Sequence, residues 1–276
     1  MSLFAAVELA PRDPILGLNE QFNADPNPAK VNLGVGVYFD ESGKLPLLAC
    51  VQAAEQQLND AHKPRGYLPI DGIVAYDKAV QHLVFGADSP LLAARRVATV
   101  QALGGTGGLK LGADFLKKIN PGATVLISDP SWENHRALFS NAGFNVASYA
   151  YYDAEARGVK VEAMLADLAA AAPGSIVVLH ACCHNPTGYD ISPADWERVI
   201  AAVKARGLTP FLDLAYQGFG DGIAEDGAVC ASSSPPALTS LSPPRFPRAF
   251  RSMASAWARS AWCAAVPTTA RGSCRS

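Results

Sequence analysis

The sequence predicts an α/β protein built on a doubly wound α/β/α sheet, and three observations carry that prediction. From Val97 onward, short apolar runs alternate with turns and with stretches of helical periodicity, as a sheet covered by helices requires. The run Ile176-Val-Val-Leu-His180 is almost wholly apolar, the pattern of a strand buried on both faces. A chain of 276 residues, 49% hydrophobic and 17% charged, is also long and apolar enough for one sizeable core, or a core with a small lobe, rather than a disordered polymer.

Taken in order, residues 1–30 read as an N-terminal arm that Pro11, Pro14, Pro26 and Pro28 break too often for regular structure. Val31-Asn-Leu-Gly-Val-Gly-Val-Tyr38 is a short extended segment whose two glycines permit close backbone approach or serve ordinary loop packing. Val51, Ala54 and Leu58 mark one amphipathic helix and Ile73, Tyr76, Val80, Leu83 and Val84 a second, with Gly66 to Gly72 as the loop between them. Ser89-Pro90 signals a third helix start. The spacing then predicts a strand over 97–103, a turn at Gly104-Gly-Thr-Gly-Gly108, and a helix over 109–119 with Leu111, Phe115 and Leu116 on its apolar side. Strands follow at 125–130 and 144–152, separated by a helix that opens at Ser131-Trp-Glu-Asn-His135, and a helix at 161–170 precedes the strand at 176–180. Ser192-Pro-Ala-Asp195 caps a helix whose Trp196, Val199, Ile200 and Val203 share one face and which Gly207 ends. The last strand is Phe211-Leu-Asp-Leu214.

That last strand carries Asp213 into apolar surroundings, where an unpaired carboxylate is heavily penalised. After Asp213 no lysine occurs and the first arginine is Arg245, so the partner is either a ligand-borne cation such as a protonated pyridine, or none, with Asp213 capping the next turn. The glycine turn at 104–108 leaves N–H groups at the positive end of a helix, which suits a phosphate, although many such turns bind nothing. Its spacing is neither G-x-G-x-x-G nor a P-loop, which counts against a nicotinamide dinucleotide or ATP. Trp132, at the end of a strand, either covers the core or stacks on a planar ring.

Several classes are excluded as first expectations. A net charge of −2 gives no reason to propose nucleic acid or an anionic membrane. No span of membrane length and no basic-then-apolar leader is found, so the expectation is a cytoplasmic enzyme. The six cysteines include no C-x-x-C and suggest neither a metal site nor a disulfide framework. The composition breaks abruptly near Cys230. Beyond it there is no Asp, Glu, Lys, Asn, Gln, His, Tyr or Ile, and six arginines make the tail +6, leaving −8 for residues 1–229. That tail reads as a disordered basic extension or as the product of a shifted reading frame in a GC-rich gene.

The ordered set Gly-Gly-Thr-Gly, Asp-Pro-Ser-Trp-Glu-Asn-His, His-Ala-Cys-Cys-His-Asn-Pro-Thr-Gly and Asp-Leu-Ala-Tyr-Gln-Gly-Phe closely resembles the aspartate and aromatic amino-acid aminotransferases over residues 5–229. These are fold-type I enzymes using pyridoxal 5'-phosphate. The resemblance implies an arm and small-domain portion over 1–45, a partial large domain over 46–229 and an aberrant tail over 230–276. It implies that Asp213 pairs with the pyridine nitrogen, that Tyr216 and Asn185 hydrogen-bond the ring's phenolic oxygen, and that Trp132 stacks on the ring. It assigns the phosphate to Gly105, Thr106 and Gly107, with Tyr67 reaching the phosphate of the other subunit in a homodimer, and places His135 behind Asp213. Gly36, Trp132 and Asn185 fall on the substrate side, where an amino acid and a 2-oxo acid bind.

The family's Schiff-base lysine, its Ser-x-Ser-Lys segment and its substrate-binding arginines have no counterpart, so no catalytic residue is assigned. Also without a counterpart are two strands that lie in the family between the strands at 97–102 and 209–214, so the expected sheet is incomplete, with two open edges and a disordered tail. The resemblance therefore implies an amino-acid aminotransferase portion without turnover. A related lyase or decarboxylase and a non-catalytic cofactor-binding or dimerising module are the other readings.

Overall fold

The structure is a computed structural model, and it describes residues 14–31, 40–42, 44, 46–64, 66–232, 238–241 and 259–265. The described residues fall into two compact units, those up to Lys63 in one and those from Pro64 on in the other.

In the first unit, helix α1 (Pro14–Ala24) occupies part of the arm expected to be irregular. Its prolines bound the helix instead of breaking it, because Pro14 is the first helical residue, where a missing N–H is not needed. Lys30 fastens the end of α1 by donating to the carbonyls of Phe22 and Asp25 at 2.6 and 2.7 Å. Helix α2 (Ala49–Asp60) forms where the apolar spacing predicts it, with no buried residue. The expected extended segment at 31–38, with Gly36, lies outside the described residues after Val31.

The second unit opens with α3 (Val74–Phe85), whose Val84 and Phe85 are buried, and the short α4 (Pro90–Ala93). Strand β1 (Val97–Leu103) leads directly into α5 (Gly104–Ile119), so the glycines are the first turn of the helix and not a separate turn. The buried side of α5 is Leu109, Gly112, Ala113 and Leu116; Leu111 and Phe115, expected to face inward, are exposed, because two glycines and an alanine let the helix lie close to the sheet. Then come β2 (Thr124–Asp129), α6 (Glu133–Asn141), β3 (Asn145–Ala150), the small hairpin β4 (Tyr152–Asp153) and β5 (Gly158–Val159), and α7 (Val161–Ala170). Strand β6 (Ile176–His180) is followed by α8 (Pro193–Arg206), whose Ser192 hydroxyl accepts from the Asp195 N–H and whose end is closed by Gly207 at φ 64°. Last are β7 (Thr209–Asp213), α9 (Ile223–Ser232), β8 (Leu238–Leu241) and β9 (Arg259–Ala265).

Seven strands form one sheet in the order β1-β9-β8-β7-β6-β2-β3. All pairs are parallel except the two made by β9, which is antiparallel to both β1 and β8. This corrects the expectation of an incomplete sheet and a wholly disordered tail. Two stretches of the tail stand between β1 and β7, where backbone N–H and C=O groups would otherwise be left unpaired. Backbone pairing needs no particular side chain beyond the absence of proline, which the runs 238–241 and 259–265 satisfy.

The core sits on both faces of this sheet. Val125, Ile127, Ile176, Val178 and Phe211 join one cluster with residues of α5 and α6, while Leu126, Val177, Leu179 and Leu212 join the other with residues of α3, α7, α8 and α9. The strict alternation is the doubly wound arrangement expected from the sequence. Because β1, β2, β6 and β7 run in the same direction, the segments that follow them emerge at one edge of the sheet.

Candidate functional site

At that edge β6 and β7 pair in register so that His180 lies opposite Asp213. Both fall on the α5–α6 side of the sheet by the alternation of their strands, and α6 supplies His135 to the same place. Asp213, 4% exposed, accepts through Oδ2 from His135 Nε2 at 2.9 Å, and His135 Nδ1 is paired with the Ser131 hydroxyl at 2.9 Å. A ring nitrogen bonded on each side fixes the imidazole's orientation. The other carboxylate oxygen, Oδ1, is buried with no hydrogen-bond partner among the described residues. A sealed, half-satisfied carboxylate costs free energy unless something else donates to it, and a protonated heteroaromatic nitrogen is a donor of suitable kind.

The histidines extend the arrangement. His135 packs against His180 at 5.0 Å between ring centroids, and His180 against His184 at 4.3 Å. His184 is stacked on Tyr151 at 3.9 Å, with its nitrogens paired to the hydroxyls of Ser128 and Thr187, both at 2.9 Å. Burial, and then the neighbouring His135, lowers the His184 pKa to about 4; burial and the two flanking imidazoles hold His180 well below the usual histidine range. His180 and His184 are therefore neutral at pH 7, and neither adds a cation to the group.

The positions singled out in the sequence are gathered unequally. Trp132 is half-buried and meets His135 edge-on at 5.4 Å, so Trp132, His135 and Asp213 form one contiguous group. Asn185 and Tyr216 are half-buried in the loops after β6 and β7, and Cys183 Sγ lies 3.9 Å from the Tyr216 carbonyl, which ties these loops together. Gly105, Thr106 and Gly107 form the first turn of α5, which has no side-chain cap and no acidic residue, so its N–H groups suit an anion. They lie on the same edge as Asp213, at the end of β1, which β9 and β8 separate from β7. Tyr67 is fully exposed, in a loop anchored to β1 where Gln101 N–H donates to the Asp71 carbonyl and Gln101 Oε1 accepts from Ile73 N–H. Gly36 lies outside the described residues.

With this geometry in view, comparison with known proteins is decisive on family. The model of the family "Aminotransferase class I and II" matches residues 28–241. The chain belongs to that family. An aspartate aminotransferase of Pseudomonas aeruginosa is 66% identical over 229 residues, covering 83% of this chain and 58% of that protein. An aromatic-amino-acid aminotransferase of Escherichia coli is 49% identical over 244 residues, covering 87% and 62%. Among solved structures, an aromatic-amino-acid aminotransferase from Burkholderia pseudomallei, covalently bound to pyridoxal phosphate, superposes with a TM-score of 0.89 at 57% identity, covering 97% of this chain and 66% of that one. The chain thus spans about six tenths of the length of the relatives it matches. The expected α/β fold and the resemblance both hold for this aminotransferase-family chain.

Sequence reasoning missed Ser131, Ser128, His184 and His180 as members of the group. Ser131 stands four residues before His135, a spacing that puts both on one side of a helix start. His180 ends an otherwise apolar strand, which was signal enough to ask for its partner. Among the described residues no helix is long and apolar enough to cross a membrane.

Proposed function

We propose that this chain carries the ring-binding part of a pyridoxal-phosphate-dependent aminotransferase acting between aspartate or an aromatic amino acid and 2-oxoglutarate in the cytoplasm. The observation that carries the reading is the buried, unpartnered Asp213 Oδ1 with His135 and Ser131 lined up behind it. The residues present fit the group: a carboxylate for the ring nitrogen, an indole beside it, and an uncapped glycine-rich helix start for the phosphate.

When bound, pyridoxal phosphate supplies an electron-accepting ring that stabilises negative charge at the amino acid's Cα. The chain's own residues do the rest. Asp213 would hold a proton on the ring nitrogen, and His135, fixed by Ser131, would keep the carboxylate aimed. Trp132 would cover one ring face and exclude water from it. Tyr216 and Asn185 would donate to the ring's phenolic oxygen. Thr106 with the N–H groups of Gly105 and Gly107 would bind the phosphate. Asn185 and Trp132 would bound the substrate side. Tyr67, exposed on a loop that also exposes Ile70, would serve a second copy of the chain in a homodimer.

No lysine follows Lys204, so the chain has no amine beyond Asp213 to hold the cofactor covalently or to move a proton at Cα. The expected behaviour is reversible cofactor binding without turnover. Titration of the purified chain with pyridoxal phosphate, followed by borohydride reduction and mass spectrometry, tests both halves. Saturable binding with no site-specific reduced lysine adduct is expected. Normal transamination with 2-oxoglutarate, or a stoichiometric adduct at one lysine, would overturn it.

A further inference from the structure

Asn185 and Tyr216 stand on two different loops, after β6 and after β7, and one carboxylate outside the group reaches both. Asp190, near the end of the loop that leads from β6 to α8, is exposed, yet both of its oxygens are engaged by that loop's own backbone. Oδ2 accepts from the Cys183 N–H at 2.6 Å and Oδ1 from the His184 N–H at 2.7 Å. Successive N–H groups turned to one side around a left-handed residue make a concavity suited to an anion, and Cys183 has φ 49°, uncommon for a residue with a side chain. A charged acceptor holds such a turn more firmly than a neutral one.

The rest of the loop closes on the same residue. The Gly188 N–H donates to the His184 carbonyl at 2.7 Å, and the Thr187 hydroxyl is paired with His184 Nδ1 at 2.9 Å, so Asn185 lies inside a ring of bonds that runs through His184. Towards the next loop, the Cys183 thiol donates to the Tyr216 carbonyl at 3.9 Å. Cys183 is thus held by Asp190 at its N–H and reaches the backbone of Tyr216 with its sulfur. Among the described residues no hydrogen bond satisfies the Asn185 amide or the Tyr216 hydroxyl, so the bracing around them leaves two donors free for a ligand.

We propose that Asp190 is a positioning residue which, by clamping the turn at Cys183 and His184, aims Asn185 directly, and Tyr216 through Cys183, at the phenolic oxygen of the cofactor ring. This rests on the reading of the chain as a binder of pyridoxal phosphate. Donors fixed before the ligand arrives lose less freedom when it binds, so the clamp is felt in affinity although Asp190 itself touches no part of the ring. A brace that only kept the loop folded would weaken every ligand of the site alike. A positioning role is felt by ligands that carry the phenolic oxygen.

Titration of the full chain with pyridoxal phosphate and, beside it, with the analogue lacking the phenolic hydroxyl tests this. Asp190→Ala should weaken pyridoxal phosphate binding about five- to tenfold, the scale of one hydrogen bond, and leave the analogue within about twofold. Asp190→Asn, which keeps one acceptor oxygen, should fall between, and it carries the same test if Asp190→Ala does not fold. In an Asn185→Ala background most of the Asp190→Ala loss should be gone, since the two act on one interaction. No loss on Asp190→Ala, a loss equal for both ligands, or a loss undiminished by Asn185→Ala would overturn the positioning role and leave the cofactor reading in place. Absence of saturable binding of either ligand to the unaltered chain would overturn both.

Discussion

Asp213 and Asp226 are buried in the same unit to nearly the same degree, 4% and 6% exposed, yet they are satisfied by different means. Asp226 sits at the start of α9 and takes its donors locally, from the N–H groups of Gly218, Gly220 and Asp221 within eight residues of itself. Backbone donors that the chain must satisfy anyway neutralise the penalty of burial, and they hold the Asp226 carboxyl below its ordinary pKa although desolvation opposes them. Asp213 takes one donor from His135, 78 residues away, and its other oxygen has no partner among the described residues. The difference separates a carboxylate that builds a turn from one held ready for something outside the chain. Asp77 is a third case, buried with Oδ1 unpartnered and no orienting histidine among the described residues, and its pKa is raised to about 6 by desolvation and by Asp71.

The sharpest way to break this contrast is Asp213→Ala. Pyridoxal phosphate affinity should fall by about 3–5 kcal/mol, measured by cofactor titration, as for loss of one partner of a buried ion pair. The urea-unfolding free energy should change by no more than about 1–2 kcal/mol. Asp226→Ala should show the reverse, with a loss of about 2–4 kcal/mol in urea unfolding as three buried-side N–H groups lose a charged acceptor. Equal effects of the two changes on stability would erase the distinction.

The acid limb of stability sharpens it further. His184 is held neutral with a pKa of about 4 against an ordinary 6.5, so the unfolded chain binds its proton more readily. The stability it contributes is complete above pH 6.5 and is lost as pH falls through 4. His184→Gln should flatten that loss by about 2–3 kcal/mol between pH 6.5 and 4, followed by urea midpoints against pH. Asp77 has the opposite sign. Its raised pKa favours the folded state below about pH 4, and this is lost as pH rises through 6. Asp77→Asn should therefore stabilise the protein at pH 7.5 by about 1 kcal/mol, once solvent screening is allowed for, and leave it unchanged at pH 4.

Much of this was legible beforehand for reasons that can be named. The strand at 176–180 and the helix at 161–170 appear with the bounds the pattern predicts, because apolar runs and helical spacing are local properties of the chain. Ser192 and Gly207 close α8 as cap chemistry requires. The misplaced face of α5 had a different cause. Counting large apolar residues favours Leu111 and Phe115, whereas packing close to a sheet favours Gly112 and Ala113. The arm was misread because prolines were counted as breakers without regard to position in the helix.

The sequence by itself determined the kinds of element, their order and the identity of the groups able to do chemistry, since propensity, periodicity and capping act over a few residues. Only the tertiary structure decided that the tail completes the sheet between β1 and β7, that His180 stands opposite Asp213, and that Asp226 comes up beside two cysteines more than forty residues earlier. Strand order and register fix those meetings, and they follow from burying both faces of one sheet at once, a condition that no local stretch of sequence expresses.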